Sequence, residues 1–328
     1  MRIPPYKAEH CQHSILGGVR LLFAYAITSP FTFQFIFLMT QTQERRPTPD
    51  EMPAQQLDYP ASQADMALAP DSDLSNYQAA DKLKGKVAII TGGDSGIGRA
   101  VAIAYAMEGA SSAILYNASD DDAQKTKELV EERGGQCLPI KMDVRRPEEC
   151  EAAVKQTGEK FGDLNILVNN AAFQMVRMDL ADLTIKQFHE TFETNIFGYF
   201  HMFKAAAPHL SEGDVIINTG SIVGKIGKKF LVDYASSKGA VHTFTKSLAQ
   251  ALASKKIRVN AVVPGPVWTP NIPATMTREQ VGTFDDANAM ERSGQPEELA
   301  PSYVFLAAAD SSFMTGALID VTGGQLSS

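Results

Sequence analysis

The sequence predicts an α/β protein: a single doubly wound parallel sheet of about seven strands with helices on both faces. From Asp81 onward, short runs rich in Val and Ile alternate with helix-length segments. Such alternation is what a parallel sheet covered on both faces requires. A glycine-rich turn, Thr91-Gly-Gly-Asp-Ser-Gly-Ile-Gly98, stands directly between the first of these runs and the first helical segment. That is the place where an open α/β sheet gathers a phosphate onto a helix N-terminus.

In chain order, the strand-like runs are residues 86–91, 112–116, 137–141, 164–168, 214–219, 257–262 and 317–320. Helices are expected over 98–107, 121–132, 147–160, 184–210, 234–253 and 296–308. The runs are short and β-branched, whereas the intervening segments are long enough to cross back over a sheet. Residues 81–328 are therefore expected to form one doubly wound domain.

Two segments precede it. Residues 21–39 are apolar and uncharged, close to the length that spans a bilayer. Against this stand Arg20, Gln34 and Pro30, and Arg2, Lys7 and Arg20 on one side nearly balance Arg45 and Arg46 on the other, so no orientation follows. Residues 1–39 thus have two readings of equal standing: a membrane anchor over 15–39, or a start misassigned upstream of Met39. A cleaved signal peptide ranks lower, because no clean small-residue cleavage site follows. In residues 40–80, Pro47, Pro49, Pro53, Pro60 and Pro70 are scattered among Gln, Asp and Ser. Such a segment cannot hold a helix for long and reads as an extended arm or linker.

Composition narrows the function. A formal charge of −8 and a pI near 5.3 argue against a nucleic-acid surface, which needs clustered Lys and Arg. The nearest basic cluster is Lys225, Lys228 and Lys229, which reads as a solvated loop. Cys11, Cys137 and Cys150 show no paired spacing, and the six histidines form no ligand pair. Neither a disulfide framework nor a metal site is expected, and a reducing, cytoplasmic compartment fits best.

Chemistry points to Tyr234-Ala-Ser-Ser-Lys238, with Ser221 upstream. On a helix, residues four apart stand on one face about 5–6 Å apart. A tyrosine working as acid and base at neutral pH needs its pKa lowered by roughly three units, or about 4 kcal/mol. An ammonium ~4 Å away at an effective dielectric of ~20 supplies about that much. In the glycine turn, Gly92 lets the chain turn sharply, Gly96 lets backbone amides approach a pyrophosphate, and Gly98 lets helix pack closely on strand.

The spacing GxxxGxG, with the motifs that follow it, resembles the short-chain dehydrogenase/reductase family over residues 84–324. Those motifs are Asp143-Val144, Asn169-Asn170-Ala171-Ala172, Asn195, Ser221, Tyr234-x3-Lys238 and Pro264-Gly265-x-Val267-x-Thr269, all in the family's order. The Pro-rich arm, TGGDSGIGRA and Gly294-Gln-Pro-Glu-Glu298 are most similar to a subgroup of bacterial and fungal oxidoreductases with an N-terminal extension. The resemblance implies a Rossmann-type fold and hydride transfer between a nicotinamide cofactor and a carbonyl or alcohol. By it, Tyr234 is the general acid/base and Ser221 bonds the substrate oxygen. Lys238 lowers the tyrosine pKa and holds the ribose, while Asn195 keeps a water in a proton relay. Gly92, Asp94, Ser95, Gly96, Ile97, Gly98 and Asn117 fall to the cofactor, with Asp143 on the adenine, Asn169 and Asn170 beside a ribose, and Val267 and Thr269 on the carboxamide. A homo-dimer or homo-tetramer is also implied.

Cofactor choice departs from the family pattern. Where an Asp would favour NAD or an Arg would favour NADP, the chain has Tyr116 and Asn117. Lacking the acidic barrier to a 2′-phosphate, it leans to NADP, with NAD possible. Residues 266–294 form the longest connection and are expected to act as an apolar lid over a moderately hydrophobic ketone or secondary alcohol, with Trp268 near the nicotinamide. Alternatives are an NAD-dependent sugar or polyol dehydrogenase and a non-catalytic cofactor-binding scaffold or sensor.

Overall fold

The computed structural model describes residues 15–16, 19–20, 46–282, 284 and 288–325. The chain divides into two compact units, Met1–Arg46 and Pro47–Ser328. In the first, Ile15–Leu16 and Val19–Arg20 pair antiparallel; the apolar residues 21–39 lie outside the described residues. Among the described residues, no helix is long and apolar enough to cross a membrane.

The second unit is built on seven parallel strands: β1 (Val87–Thr91), β2 (Ser111–Tyr116), β3 (Cys137–Lys141), β4 (Ile166–Asn169), β5 (Val215–Thr219), β6 (Arg258–Pro264) and β7 (Leu318–Val321). Their spatial order is β3-β2-β1-β4-β5-β6-β7, as the alternation of strand and helix requires. Every residue of β1, β4 and β5 is buried, the mark of central strands covered on both faces. Pro139, which lacks a ladder donor, is confined to β3 at the sheet edge, where one side of the strand has no partner to lose.

Helices α1 (Gly96–Met107), α2 (Asp120–Glu132) and α7 (Pro296–Ala307) supply residues to one core, with Ile90, Val168 and Ile217 beneath them. On the opposite face, α3 (Pro147–Phe161), α5 (Gly198–Ala206) and α6 (Val232–Leu252) cover Ile89, Leu167 and Ile216. Neighbouring strand residues thus feed opposite cores, as a two-sided sheet demands. The helix expected over 184–210 is not continuous. It consists of α4 (Ile185–Phe192), a π-helical turn at Glu193–Phe197, α5 and a 3-10 turn at Ala207–His209. Pro208 accounts for the last break.

Residues 47–80 do not form a linker. They dock along the domain with Met52 and Met66 in a buried cluster with Trp268, Ile272 and Val281. Leu57 N donates to Pro273 O at 2.8 Å, and Asp71 N to the Gln295 side chain at 2.9 Å. Prolines keep the arm extended, while the apolar residues between them supply its contact with the domain. The packing boundary therefore falls at Pro47 rather than at residue 81.

Candidate active site

Strand order reverses between β1 and β4, and the carboxyl ends there open a crevice. It is a cleft of about 590 Å³ that runs from Asp143 past the glycine turn to Ser221 and Tyr234.

The glycine turn is shaped by steric exclusion. A methyl group on Gly98 would lie 1.9 Å from Gly92 O, and one on Gly96 would lie 3.0 Å from the Thr269 side chain. Asn170 braces the turn, its Nδ2 donating to Thr91 O and Gly92 O at 3.1 Å each. Asp94 O accepts from the Arg99 guanidinium at 2.8 Å and from Thr126 Oγ1 at 2.7 Å. Arg99 is itself buried against Asp122, so its charge is already committed. Gly92, Asp94, Ser95, Gly96, Ile97, Asn117, Asp143, Asn170, Val267 and Thr269 all line the cleft. Burial pushes the Asp94 carboxyl up to about 6.

Two expected cofactor contacts lie elsewhere. Asn169 is fully buried and donates to Asn218 Oδ1 at 2.9 Å, because alternation along β4 turns it into the sheet while Asn170, one residue on, reaches the cleft. Gly98 is also behind the cleft wall, where it permits the contact with Gly92. Asp143 is in place but engaged. Burial works to raise its carboxyl, and Arg145, donating to it at 2.8 and 2.9 Å, holds it below the usual range.

Ser221 follows β5, and Tyr234 and Lys238 rise one turn apart on α6. The Lys238 ammonium is buried, donates to Thr219 O at 2.8 Å and to Tyr199 Oη at 3.3 Å, and stands 5.6 Å from the Tyr234 ring centroid. Burial pushes the Tyr234 phenol up to about 12, with a hydrogen bond to Ser221 pulling the other way. Burial also brings Lys238 down to about 7. The expected downward shift of the phenol is thus opposed.

Asn195 is buried in the π-helical turn. Its Oδ1 accepts from Phe173 N at 2.7 Å, and its Nδ2 donates to Phe173 O and Ser237 Oγ at 2.9 Å each. The amide holds the loop after β4 against α6. Trp268 is also displaced from its expected place. It is completely buried and donates to Leu68 O of the arm at 2.8 Å, while Val267 and Thr269 on either side face the cleft. Period-two alternation in an extended segment was the signal that separates them.

Several contributors carried no such signal. His242, one turn after Lys238, sits under the Ser221 turn, with Ser221 N 3.4 Å from its Nε2. Gly220 and Gly224 make room for it, since a methyl group there would lie 2.5 and 2.9 Å from its ring. Burial, then the nearby Lys238, lowers His242 to about 4. Tyr59, Pro60 and Ala61 of the arm also line the cleft, and Gln63 Oε1 accepts from Gly96 N at 2.8 Å.

The glycine turn at the switch point, the long cleft and the Ser221, Tyr234 and Lys238 group fit a bound dinucleotide. Comparison with known proteins agrees. A family model described as Enoyl-(Acyl carrier protein) reductase matches residues 92–325. General stress protein 39 of Bacillus subtilis (strain 168) is 49% identical over 278 residues, 84% of this chain and 97% of that protein. The NADPH-dependent aldehyde reductase 1, chloroplastic, of Arabidopsis thaliana is 42% identical over 274 residues, 81% of this chain and 95% of that protein. The crystal structure of a short chain dehydrogenase from Burkholderia cenocepacia J2315 in complex with NADP superposes with a TM-score of 0.70 at 33% identity, covering 74% of this chain and 99% of that one. With this fold, this motif order and these relatives, the chain belongs to the short-chain dehydrogenase/reductase family of oxidoreductases.

Proposed function

We propose that this oxidoreductase interconverts a ketone or aldehyde and the corresponding alcohol, using NADP(H) in preference to NAD(H), with Tyr234 as general acid/base. The observation that carries this reading is the convergence of Ser221, Tyr234 and buried Lys238 at one end of a cleft whose middle is the glycine turn. The cofactor supplies or accepts the hydride.

The protein's own groups manage the proton and the oxygen. With its phenol pushed up to about 12, Tyr234 stays protonated through neutral pH and is ready to donate to a carbonyl oxygen. Ser221, bonded to that phenol, offers a second donor to the same oxygen as charge develops on it. Lys238, anchored on Thr219 O, places its charge beneath the tyrosine ring and favours the phenolate left after donation. In the oxidative direction Tyr234 must first lose its proton, so oxidation rises with pH while reduction does not.

The preference for NADP(H) rests on the lack of a carboxylate at Tyr116 and Asn117, and on the NADPH named for the Arabidopsis relative and the NADP named in the Burkholderia structure. Ile272, Met276 and Phe284 of the 266–294 segment line the cleft with Phe230, which suits a moderately hydrophobic substrate. A cluster of exposed apolar residues on and around α4 and α5, including Ile185, Phe188, Phe197 and Phe200, supports a homo-oligomer.

A panel of ketones, aldehydes, sugars and polyols, followed by nicotinamide absorbance with each cofactor, tests the reading. A moderately hydrophobic carbonyl should be reduced with a lower Michaelis constant for NADPH than for NADH. Tyr234→Phe should reduce turnover at least about a hundredfold with nucleotide affinity kept. A clear NAD preference, or an unaltered rate in that variant, overturns the corresponding part.

A further inference from the structure

Sheet order divides the cleft into two ends. The glycine turn follows β1 at the centre, the Ser221, Tyr234 and Lys238 group lies towards β5, and Asn117 and Asp143 follow β2 and β3 on the other side. If the reacting end of a dinucleotide lies at Tyr234 and its pyrophosphate at the glycine turn, its adenosine half extends towards Asn117 and Asp143. This side receives a segment from outside the sheet, residues 59–63 of the N-terminal arm.

Tyr59 meets Phe173 edge to face, with ring centroids 5.3 Å apart. It lines the cleft and keeps 43% of its surface open. Its phenol lies within electrostatic reach of Glu190, Arg145, Asp143 and Asp94. Tyr59 therefore stands between the loops that follow β1, β3 and β4. Four residues on, Gln63 is buried and clamps the arm in two directions. Its N–H donates to Asp122 at 2.7 Å, and its Oε1 accepts from Gly96 N of the glycine turn at 2.8 Å. An arm that merely covered the surface would not place a buried amide on the phosphate turn.

Resting on the reading of this cleft as a nicotinamide dinucleotide site, we propose that Tyr59 is a cofactor-binding residue that closes the adenosine end of the cleft, held there by Gln63. The arm is then a structural part of the cofactor site, and an aromatic ring with open surface on a cleft is a stacking partner that tolerates any base.

Calorimetric titration of the full chain and its variants with NADPH, and with 2′-phospho-ADP-ribose, which retains the phosphorylated adenosine and the pyrophosphate but has no nicotinamide, tests this. Tyr59→Ala should weaken both ligands by the same factor, about tenfold, while Tyr59→Phe stays within about threefold of the parent. Gln63→Ala should weaken both as well, by loosening the arm. Unfolding midpoints measured alongside identify any loss that comes from a damaged fold; Tyr59→Phe, which keeps the ring, then decides the matter by retaining affinity. Unchanged affinity in Tyr59→Ala overturns the proposal, as does a loss confined to NADPH. Failure of the unmodified chain to bind NADPH or NADH would instead overturn the dinucleotide reading and this proposal with it.

Discussion

The two ends of the cleft are built on opposite physical principles. At the glycine turn, Asp94 apart, groups are held by hydrogen-bonding and by space too small for a side chain. Gly98 is pressed on Gly92, Asn170 braces the turn, Arg99 is spent on Asp122, and even Gly96 N is bonded to the arm. The reacting end instead gathers ionisable groups whose charges burial disfavours. Lys238 falls to about 7, His242 to about 4, and Tyr234 rises to about 12. A binding surface benefits from satisfied, rigid groups, whereas proton transfer needs groups whose protonation states are brought within reach of each other. The contrast predicts that changes at one end act through geometry and changes at the other through charge.

The largest effect is expected from Lys238→Met. Turnover should fall by a hundredfold or more, and nucleotide affinity should fall with it if the lysine also holds the ribose; steady-state kinetics and calorimetry separate the two. Stability should move the other way. Between about pH 7 and the ordinary lysine value of 10.5, the unfolded chain binds a proton that the folded chain does not. The cost of burying this group is therefore full below about pH 7 and fades as pH rises. Relative to the parent, the variant's unfolding midpoint should be raised at pH 6.5, with the gain shrinking by pH 10. A gain independent of pH would break the charge half of the comparison.

Gly98→Ala comes next. Its added carbon would meet the Gly92 backbone at 1.9 Å, with no flexible side chain to yield, and overpacking of this kind costs about 1–3 kcal/mol or more. Nucleotide affinity should drop more than tenfold with little change in the pH profile of any remaining turnover. A shifted profile would mean that the two ends are not independent.

A smaller effect is expected at Trp268. Trp268→Phe loses the bond to Leu68 O, about 1 kcal/mol, which in a domain of this size lowers the unfolding midpoint by a few degrees. Proteolysis within residues 47–80 should accelerate. Because the ring faces the arm, saturating the unaltered protein with NADPH should leave direct contact quenching of its fluorescence absent; strong quenching would return Trp268 to the cleft.

Least in size is the acid response of His242. Its folded value of about 4 lies below the ordinary 6.5, so the unfolded chain takes up its proton first and stability is lost as pH falls from 6.5 towards 4. His242→Asn should flatten that part of a stability-versus-pH curve, measured by denaturant unfolding.

Much of this was legible in order and spacing. Alternation of β-branched runs with helical segments forecast the parallel sheet, because local propensity and burial on both faces agree along the whole domain. The glycine turn and the Tyr234–Lys238 pair were legible for a similar reason: each is a short-range constraint, set by what a turn or one helical face permits. Asn169 and Trp268 went to the wrong side of the wall, although a strict count of strand alternation assigns both.

Tertiary structure alone decided the rest. No local pattern tells that Gln63 reaches Gly96, that Tyr59 meets Phe173, or that Asn195 is consumed by the Phe173 backbone, since these contacts join segments whose separation in sequence carries no period. The pKa values were equally out of reach. Four residues of spacing fixed that an ammonium and a phenol share one helix face, but only the surrounding packing decided that desolvation would raise the phenol and lower the ammonium.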